Sequence, residues 1–215
     1  MLNFTIQTLL LQIPAAFFAL ALREAVKARC STALGDPSPK NAGLLVGNPF
    51  KYIEPIGFIF TVVFDFGWGR PTPTSPLYYK DPKKGILITY LTPSVVNLFV
   101  GLFVAFFVGI VNLTAVQMTL VAIHPIFSFA AYWTLLFLAA FARINVSLAL
   151  FNMIPVPPLD AAKLLQSAVS PNVAVKLTQN EKVLQLVMMM LIIMNVIPMI
   201  IRPIALMLVN AAWSW

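Results

Sequence analysis

Four charged side chains in a mostly apolar chain have the types and spacing that could support chemistry. Arg23, Glu24 and Lys27 end an apolar run near the N-terminus, and Asp160 follows a proline-rich break much later in the chain. Residues four apart share one face of a helix, so Arg23 and Lys27 can point at a common partner. Ionisable groups in or near a membrane are costly and usually face a partner or a cavity. We therefore take these four residues as the candidate site.

Each half of this candidate site also has an ordinary structural explanation. An Arg-Glu-x-x-Lys sequence on a helix is usually only an exposed polar face. Asp160 precedes a short run of helix-forming residues, and aspartate is a good N-terminal cap for such a helix. Arg23, Lys27 and Arg29 could also extend toward anionic lipid head groups. The residue types alone leave these alternatives open.

The composition indicates a membrane protein with several spans. Of the 215 residues, 60% are hydrophobic and 10% are charged, whereas charged residues make up about a quarter of an ordinary soluble domain. The length suits one integral membrane domain, with the lipid bilayer as its first partner. The net charge of +7 fits orientation in a membrane better than nucleic-acid binding, which needs a basic patch on a solvated face. The single cysteine, Cys30, excludes an internal disulfide and a Cys-rich metal site.

Apolar runs of about 20 residues can cross a hydrocarbon core of about 30 Å. By that measure the sequence predicts four spans, at residues 4–34, 86–111, 125–153 and 183–201. The apolar run at residues 55–68 is short for a crossing and is predicted to be re-entrant or interfacial. Residues 204–215 end in Trp213-Ser214-Trp215 and are predicted to form an interfacial tail.

The connecting segments predict the shape of the loops and the orientation of the chain. Residues 35–55 are rich in Gly, Pro and Asn, which predicts a loop with one short strand at residues 43–46. The proline spacing in residues 67–76 predicts an extended segment. If residues 55–68 do not cross, residues 23–85 and 143–182 lie on one side and hold thirteen of the fourteen Lys and Arg residues. This bias predicts four spans with the N-terminus outside and the basic loops in the cytoplasm.

Several segments, in their order along the chain, resemble the site-2 protease family of intramembrane zinc metallopeptidases, in particular its compact bacterial branch. The family's His-Glu-x-x-His motif and later Gly-Asp-Pro look like Arg23-Glu24-Ala25-Val26-Lys27 and Gly35-Asp36-Pro37. Its Asn-x-x-Pro-x-Pro-x-Leu-Asp-Gly motif looks like the segment from Asn152 to Ala161, which is the most specific match. Its Gly-Pro-x-x-Asn motif is only loosely similar to the segment from Thr92 to Asn97. The resemblance covers residues 15–170.

The resemblance implies an all-α polytopic membrane protein, with a site-2 protease-like helical bundle and a small extended or β-hairpin insertion between its first two spans. In the family two histidines and an aspartate bind zinc, and a glutamate polarises the zinc-bound water that attacks a peptide bond. Here Arg23 and Lys27 stand at the histidine positions, Glu24 matches the glutamate, and Asp160 matches the aspartate. Residues that could line or support a client groove are Asn97, Asn152 and Pro155.

The departure from the family motif changes the expected chemistry. Zinc needs electron-pair donors, whereas a guanidinium offers none and a lysine must first lose a proton. Glu24 and Asp160 leave at most two ligands, and His124 and Cys30 are poorly placed to add others. Without the metal, a water beside Glu24 keeps a pKa near that of bulk water. We therefore predict no zinc cofactor and no catalytic residues. The two cations would instead neutralise the two carboxylates in an ion-pair network.

These observations predict a catalytically inactive site-2 protease homologue that serves as a membrane subunit, scaffold or client-binding protein. Its partners would be the bilayer and a membrane protein or transmembrane client, in the bacterial inner membrane. The alternative is an active intramembrane zinc metalloendopeptidase with a non-standard ligand set. A transporter or channel would need more polar residues in its spans than the few present, which are Asn97, Arg143, Asn145 and Asn195.

Overall fold

The computed structural model describes residues 6–111 and 125–213, and most of these residues are helical. The α-helices are α1 (Ile6–Ala33), α2 (Ser38–Asn41), α3 (Pro55–Phe64), α4 (Pro82–Ile110), α5 (Pro125–Phe151), α6 (Asp160–Ala168), α7 (Pro171–Gln179), α8 (Glu181–Ile193) and α9 (Val196–Trp213). Short 3-10 helices form at Leu44–Val46, Pro49–Tyr52 and Pro76–Tyr78. No strand occurs in the described ranges, which confirms the all-α fold class.

Four of these helices are long and apolar enough to cross a membrane. The candidate spans are Leu9–Ala33 within α1, Pro82–Ile110, Phe129–Phe151 within α5, and Val196–Trp213. The apolar helix α3 has ten residues, about half of what a crossing requires. The chain is therefore a polytopic membrane protein, and α3 is a short element between the first two candidate spans.

The fourth predicted span, residues 183–201, does not form as one helix. Helix α8 ends at Ile193, and α9 begins at Val196 and continues to Trp213. Between them, Asn195 has a φ of 63°, a left-handed conformation that asparagine adopts more readily than most residues. The predicted tail at residues 204–215 is helical as far as the structure describes it. A count of apolar residues does not detect a single left-handed residue, and the helix in this region that is long and apolar enough to cross a membrane is Val196–Trp213.

The short strand predicted at residues 43–46 is also wrong. Gly43 and Gly47 have φ values of 67° and 82° and enclose the 3-10 turn Leu44–Val46. Left-handed residues at both ends turn the chain and prevent an extended pairing. The insertion before α4 instead contains a segment without regular secondary structure, residues 66–75, which we call the strap. Within the described residues the insertion therefore contains no β-hairpin.

Close helix packing positions the candidate site. Helix α4 packs most extensively against α5 and also against α1. A Cβ atom at Gly101 of α4 would lie 2.7 Å from Cγ2 of Val146 and 2.9 Å from the carbonyl oxygen of Ala142. Small residues let membrane helices approach closely in this way. The packing fixes α4 and α5 relative to each other and holds α1 beside them.

The strap is anchored at its end by a buried carboxylate just after α1. Asp36 accepts hydrogen bonds from Ser31 Oγ at 2.7 Å, from the Ser38 amide at 2.9 Å and from the Ser75 amide at 2.8 Å. Burial acts to raise the pKa of Asp36, but the hydrogen bonds from Ser38, Ser31 and Ser75 outweigh it and hold the pKa below its usual value. Asp36 thereby ties the end of the strap to the end of α1.

Candidate functional site

The structure brings Arg23, Glu24, Lys27 and Asp160 together in one buried cluster, which we call the charge cluster. Arg23 Nη2 forms a salt bridge with Asp160 Oδ2. Lys27 Nζ lies 2.8 Å from Asp160 Oδ1 and 3.0 Å from each carboxylate oxygen of Glu24. The four residues are 0%, 2%, 6% and 4% exposed, in sequence order. The charge cluster therefore joins the middle of α1 to the start of α6.

The geometry of the charge cluster decides whether Asp160 caps its own helix and whether the cations of α1 extend to lipid head groups. Leu159 occupies the N-cap position of α6, and Asp160 is the first helical residue without a capping side chain before it. The carboxylate of Asp160 bonds to the two cations of α1 instead of to the backbone of its own helix. Arg23 and Lys27 are buried and do not extend to the lipid surface, whereas Arg29 is exposed.

Two hydroxyl groups, neither of which the sequence singles out, complete the charge cluster. Thr72 Oγ1 of the strap donates to Glu24 Oε2 at 2.9 Å. Arg23 Nη1 donates to Ser94 Oγ of α4 at 3.3 Å. A threonine between prolines and a serine after Pro93 carry no specific sequence signal. Their contacts depend on how the strap and α4 pack against α1.

The donors in the charge cluster do not fit a zinc ion. Arg23 has no lone pair to offer, and the Lys27 ammonium donates to the carboxylates of both Glu24 and Asp160. Each oxygen of Glu24 and Asp160 already accepts from Lys27, Arg23 or Thr72. Within the described ranges no group of three or more His, Cys, Asp or Glu side chains could hold a metal ion. His124 lies outside those ranges. The arrangement suits charge neutralisation between helices.

A polar cavity of about 150 Å³ lies against the charge cluster. Its walls include Glu24, Lys27 and Asp160 together with Thr72 of the strap, Tyr90 of α4 and Lys163 of α6. The cavity also borders Asn152 and Glu181.

The three predicted groove or support residues have different surroundings. Asn152 is buried, donates from its side chain to the Leu148 carbonyl at 2.9 Å, and lines the polar cavity. Asn97 is fully buried, and neither polar atom of its side chain has a hydrogen-bond partner among the described residues. Pro155 is exposed in the turn between α5 and α6. Only Asn152 therefore adjoins the charge cluster through this cavity.

A second ion pair, less buried than the charge cluster, was not predicted. Arg143 Nη2 is 3.1 Å from Asp65 Oδ1, and Arg143 Nη2 also donates to the amide oxygen of Gln12 at 3.0 Å. The pair joins α5 to the C-terminal end of α3, with α1 beside it. Arg143 lies within the candidate span Phe129–Phe151, so it is not one of the loop charges that bear on orientation. The only indication of this pair in the sequence is that Asp65 and Arg143, one acidic and one basic residue, each lie in an apolar run.

Gly69 gives a direct test of how closely the strap covers the charge cluster. A Cβ atom at this position would lie 2.6 Å from Cγ of Glu24 and 2.9 Å from the carbonyl oxygen of Tyr52. We expect Gly69→Ala to lower the free energy of unfolding by about 1–3 kcal/mol, the usual cost of overpacking. Chemical unfolding in detergent would measure it. The exposed strap variant Pro73→Ala should stay within about 1 kcal/mol of the unsubstituted protein. Equal stabilities for both variants would contradict the close contact.

Comparison with known proteins supports the family that the motifs and their order along the chain resemble. The model of Peptidase family M50 matches residues 5–199. A curated protein of Bacillus subtilis (strain 168), named "Putative zinc metalloprotease YwhC", is 32% identical over 166 residues, which are 76% of this chain and 71% of the relative. No solved structure matches the chain. Because the family model spans most of the chain, including α1 and the start of α6, the protein belongs to peptidase family M50, the site-2 protease family.

Proposed function

We propose that this chain is a catalytically inactive member of its family that acts as a membrane subunit, scaffold or client-binding protein. The observation that carries the proposal is the pair of buried cations, Arg23 and Lys27, at the positions that resemble the two zinc-binding histidines. Both side chains bond to the carboxylates that resemble the base and the third ligand. Positive charges at these positions repel a metal cation and offer it no electron pair.

The charge cluster then has a structural role in place of a catalytic one. Two formal positive charges face two formal negative charges, so the buried site is formally neutral. A buried ion pair that lacks one partner is strongly destabilising, because it leaves an uncompensated charge. All four members are therefore needed to keep α1 and α6 joined. Glu24, which would polarise a water in an active relative, instead holds Lys27 and Thr72.

The strap supports the client-binding part of the proposal. Among residues 67–74, the only backbone-to-backbone hydrogen bond in the described structure runs from the Arg70 amide to the Tyr52 carbonyl, at 2.8 Å. Residues 66–69 of the strap are buried, but the carbonyl groups of the exposed residues Arg70, Pro71 and Pro73 can accept from an extended client segment, in the manner of strand addition. The polar cavity lies behind the strap and can receive polar side chains. The proposed client is thus a membrane-protein segment that is extended where it passes the charge cluster.

The proposed location is the bacterial inner membrane, with the basic loops in the cytoplasm. The exposed cations of the loops include Lys40, Arg70, Lys80, Lys83 and Lys84, all between α1 and α4 or at the start of α4. Basic loops stay on the cytoplasmic side during insertion. This orientation places the strap and the mouth of the polar cavity toward the cytoplasm.

An active zinc metalloendopeptidase is the second candidate, because a relative at 32% identity carries the name of a zinc metalloprotease. Zinc content separates the two candidates. We expect the purified chain, expressed with zinc in the medium and washed with a weak chelator, to contain close to no zinc per chain by elemental mass spectrometry. About one zinc per chain would overturn the inactive assignment and support a non-standard ligand set.

A further inference from the structure

The loop between α1 and α3 turns back along the first candidate span. The ring of Phe50, in the 3-10 turn Pro49–Tyr52, packs against the ring of Phe17 with 5.0 Å between centroids. Phe17 lies within the candidate span Leu9–Ala33. Phe50 nevertheless remains 73% exposed, and Val46 in the neighbouring turn is 81% exposed. Large apolar side chains exposed beside a spanning helix face lipid, so Phe50 and Val46 place this part of the loop against acyl chains.

A basic pocket lies next to these apolar residues. Its volume is about 250 Å³, and its walls include Lys51 and Arg70 but no acidic residue. The remaining walls are Ala42, Leu44, Pro71 and Pro73. Neither cation forms a salt bridge with any carboxylate of the described residues. An uncompensated pair of cations in an otherwise apolar pocket is complementary to a single anionic group.

The local backbone holds both cations at this pocket. Lys51 Nζ donates to the Gly43 carbonyl at 3.1 Å, and a Cβ atom at Gly43 would lie only 2.8 Å from that ammonium nitrogen. Lys51 thus keeps two further N–H donors for a ligand. Arg70 is held through its own amide, which bonds to the Tyr52 carbonyl at 2.8 Å. This bond joins the strap to the residue that follows Lys51, so the two side chains lie on adjacent, cross-linked segments.

We propose that this pocket binds the phosphate group of an anionic phospholipid of the surrounding bilayer. A guanidinium donates two parallel hydrogen bonds to phosphate oxygens, and an ammonium adds a compact charge. The acyl chains of the lipid would lie along Phe17, Phe50 and Val46. These apolar contacts distinguish a lipid from a free phosphate ion, which would gain nothing from them. The pocket shares Pro71 with the polar cavity beside the charge cluster, but the proposal does not depend on the inactive assignment.

Native mass spectrometry of the full chain tests this proposal. The protein would be released from nanodiscs that contain equal amounts of phosphatidylglycerol and phosphatidylcholine. We expect the unsubstituted chain to retain one phosphatidylglycerol in preference to phosphatidylcholine. The double variant Lys51→Gln/Arg70→Gln should lose this preference by at least about tenfold, because it removes the two charge-assisted hydrogen-bond donors that would hold the phosphate.

The matched control removes two exposed cations elsewhere, with Lys80→Gln/Lys83→Gln at the start of α4. The control should retain the lipid as the unsubstituted chain does, and thermal unfolding should show all three proteins folded. Equal retention by the Lys51/Arg70 variant and the unsubstituted chain would overturn the proposal. Equal losses in both variants would also overturn the proposal, because general charge attraction would then explain the lipid binding. Displacement of the lipid by millimolar inorganic phosphate would identify a free anion as the ligand and also overturn the lipid assignment.

Discussion

Replacing Asp160 with asparagine is expected to lower the free energy of unfolding by about 3–5 kcal/mol, the usual cost of removing one partner from a buried ion pair. Asparagine keeps the size of the side chain but removes its negative charge. Arg23 and Lys27 would then share only the carboxylate of Glu24, with one positive charge left uncompensated in a buried site. Equilibrium unfolding in mixed detergent micelles, followed by circular dichroism, would measure the loss.

The chain offers a matched control at Asp81. This residue carries an exposed ion pair to Lys84 at 3.8 Å and caps α4 by accepting from the Lys83 and Lys84 amides. Asparagine caps a helix about as well as aspartate, and exposed ion pairs contribute at most about 1 kcal/mol. Asp81→Asn should therefore change stability by less than about 1 kcal/mol. If Asp160→Asn proved as mild as Asp81→Asn, the charge cluster would not be a stabilising network.

The double variant Arg23→His/Lys27→His is expected to acquire zinc, at about one ion per chain. The two substitutions replace cations with imidazoles on the helix face that already meets Asp160. Two imidazoles and one carboxylate form the three-ligand set of many catalytic zinc sites. Without metal this variant leaves two buried carboxylates unpaired, so it should unfold more easily than the unsubstituted chain. Zinc should then stabilise it, by about 2.7 kcal/mol when free zinc exceeds the dissociation constant 100-fold.

Elemental analysis and thermal unfolding with and without zinc would follow both effects. The triple variant, which adds Asp160→Ala, serves as the control because it lacks the third ligand. It should hold much less zinc and gain little stability from the metal. If the folded double variant bound no zinc, the charge cluster would not stand where the family site stands. If the unsubstituted chain gained the same stability from zinc, the cations at positions 23 and 27 would not be what excludes the metal.

The chemistry of the site was predictable because it depends on residue type. An arginine cannot ligate zinc in any fold, so Arg23 at a position that resembles a zinc-binding histidine was informative before any contact was known. Opposite formal charges on Arg23, Lys27, Glu24 and Asp160 made mutual neutralisation a reasonable hypothesis. What could not be predicted was which hydroxyl groups would reach the cluster, since Thr72 and Ser94 come close only through packing.

The fold was predictable to the extent that hydrophobicity controls it. Long apolar runs must form helices in a bilayer, because a helix satisfies its own backbone hydrogen bonds. The first three spans consequently fall close to α1, α4 and α5. The last predicted span is divided between two helices, because the left-handed residue Asn195 separates α8 from α9. Positive φ values also explain the strand that was wrongly predicted at residues 43–46. Gly43 and Gly47 are both left-handed and enclose a 3-10 turn.

The sequence by itself determined the membrane class and the family, and it showed cations at the positions that resemble the zinc-binding histidines, because these depend on composition, motif order and the types of single residues. Tertiary structure alone decided the contacts between distant segments. Asp65 and Arg143 are 78 positions apart, and nothing local to either residue indicates its partner. The same is true of Lys51 and Arg70, whose common pocket exists only because the strap crosses the loop after α1. Long-range packing brings such pairs together, and no local pattern in the chain encodes it.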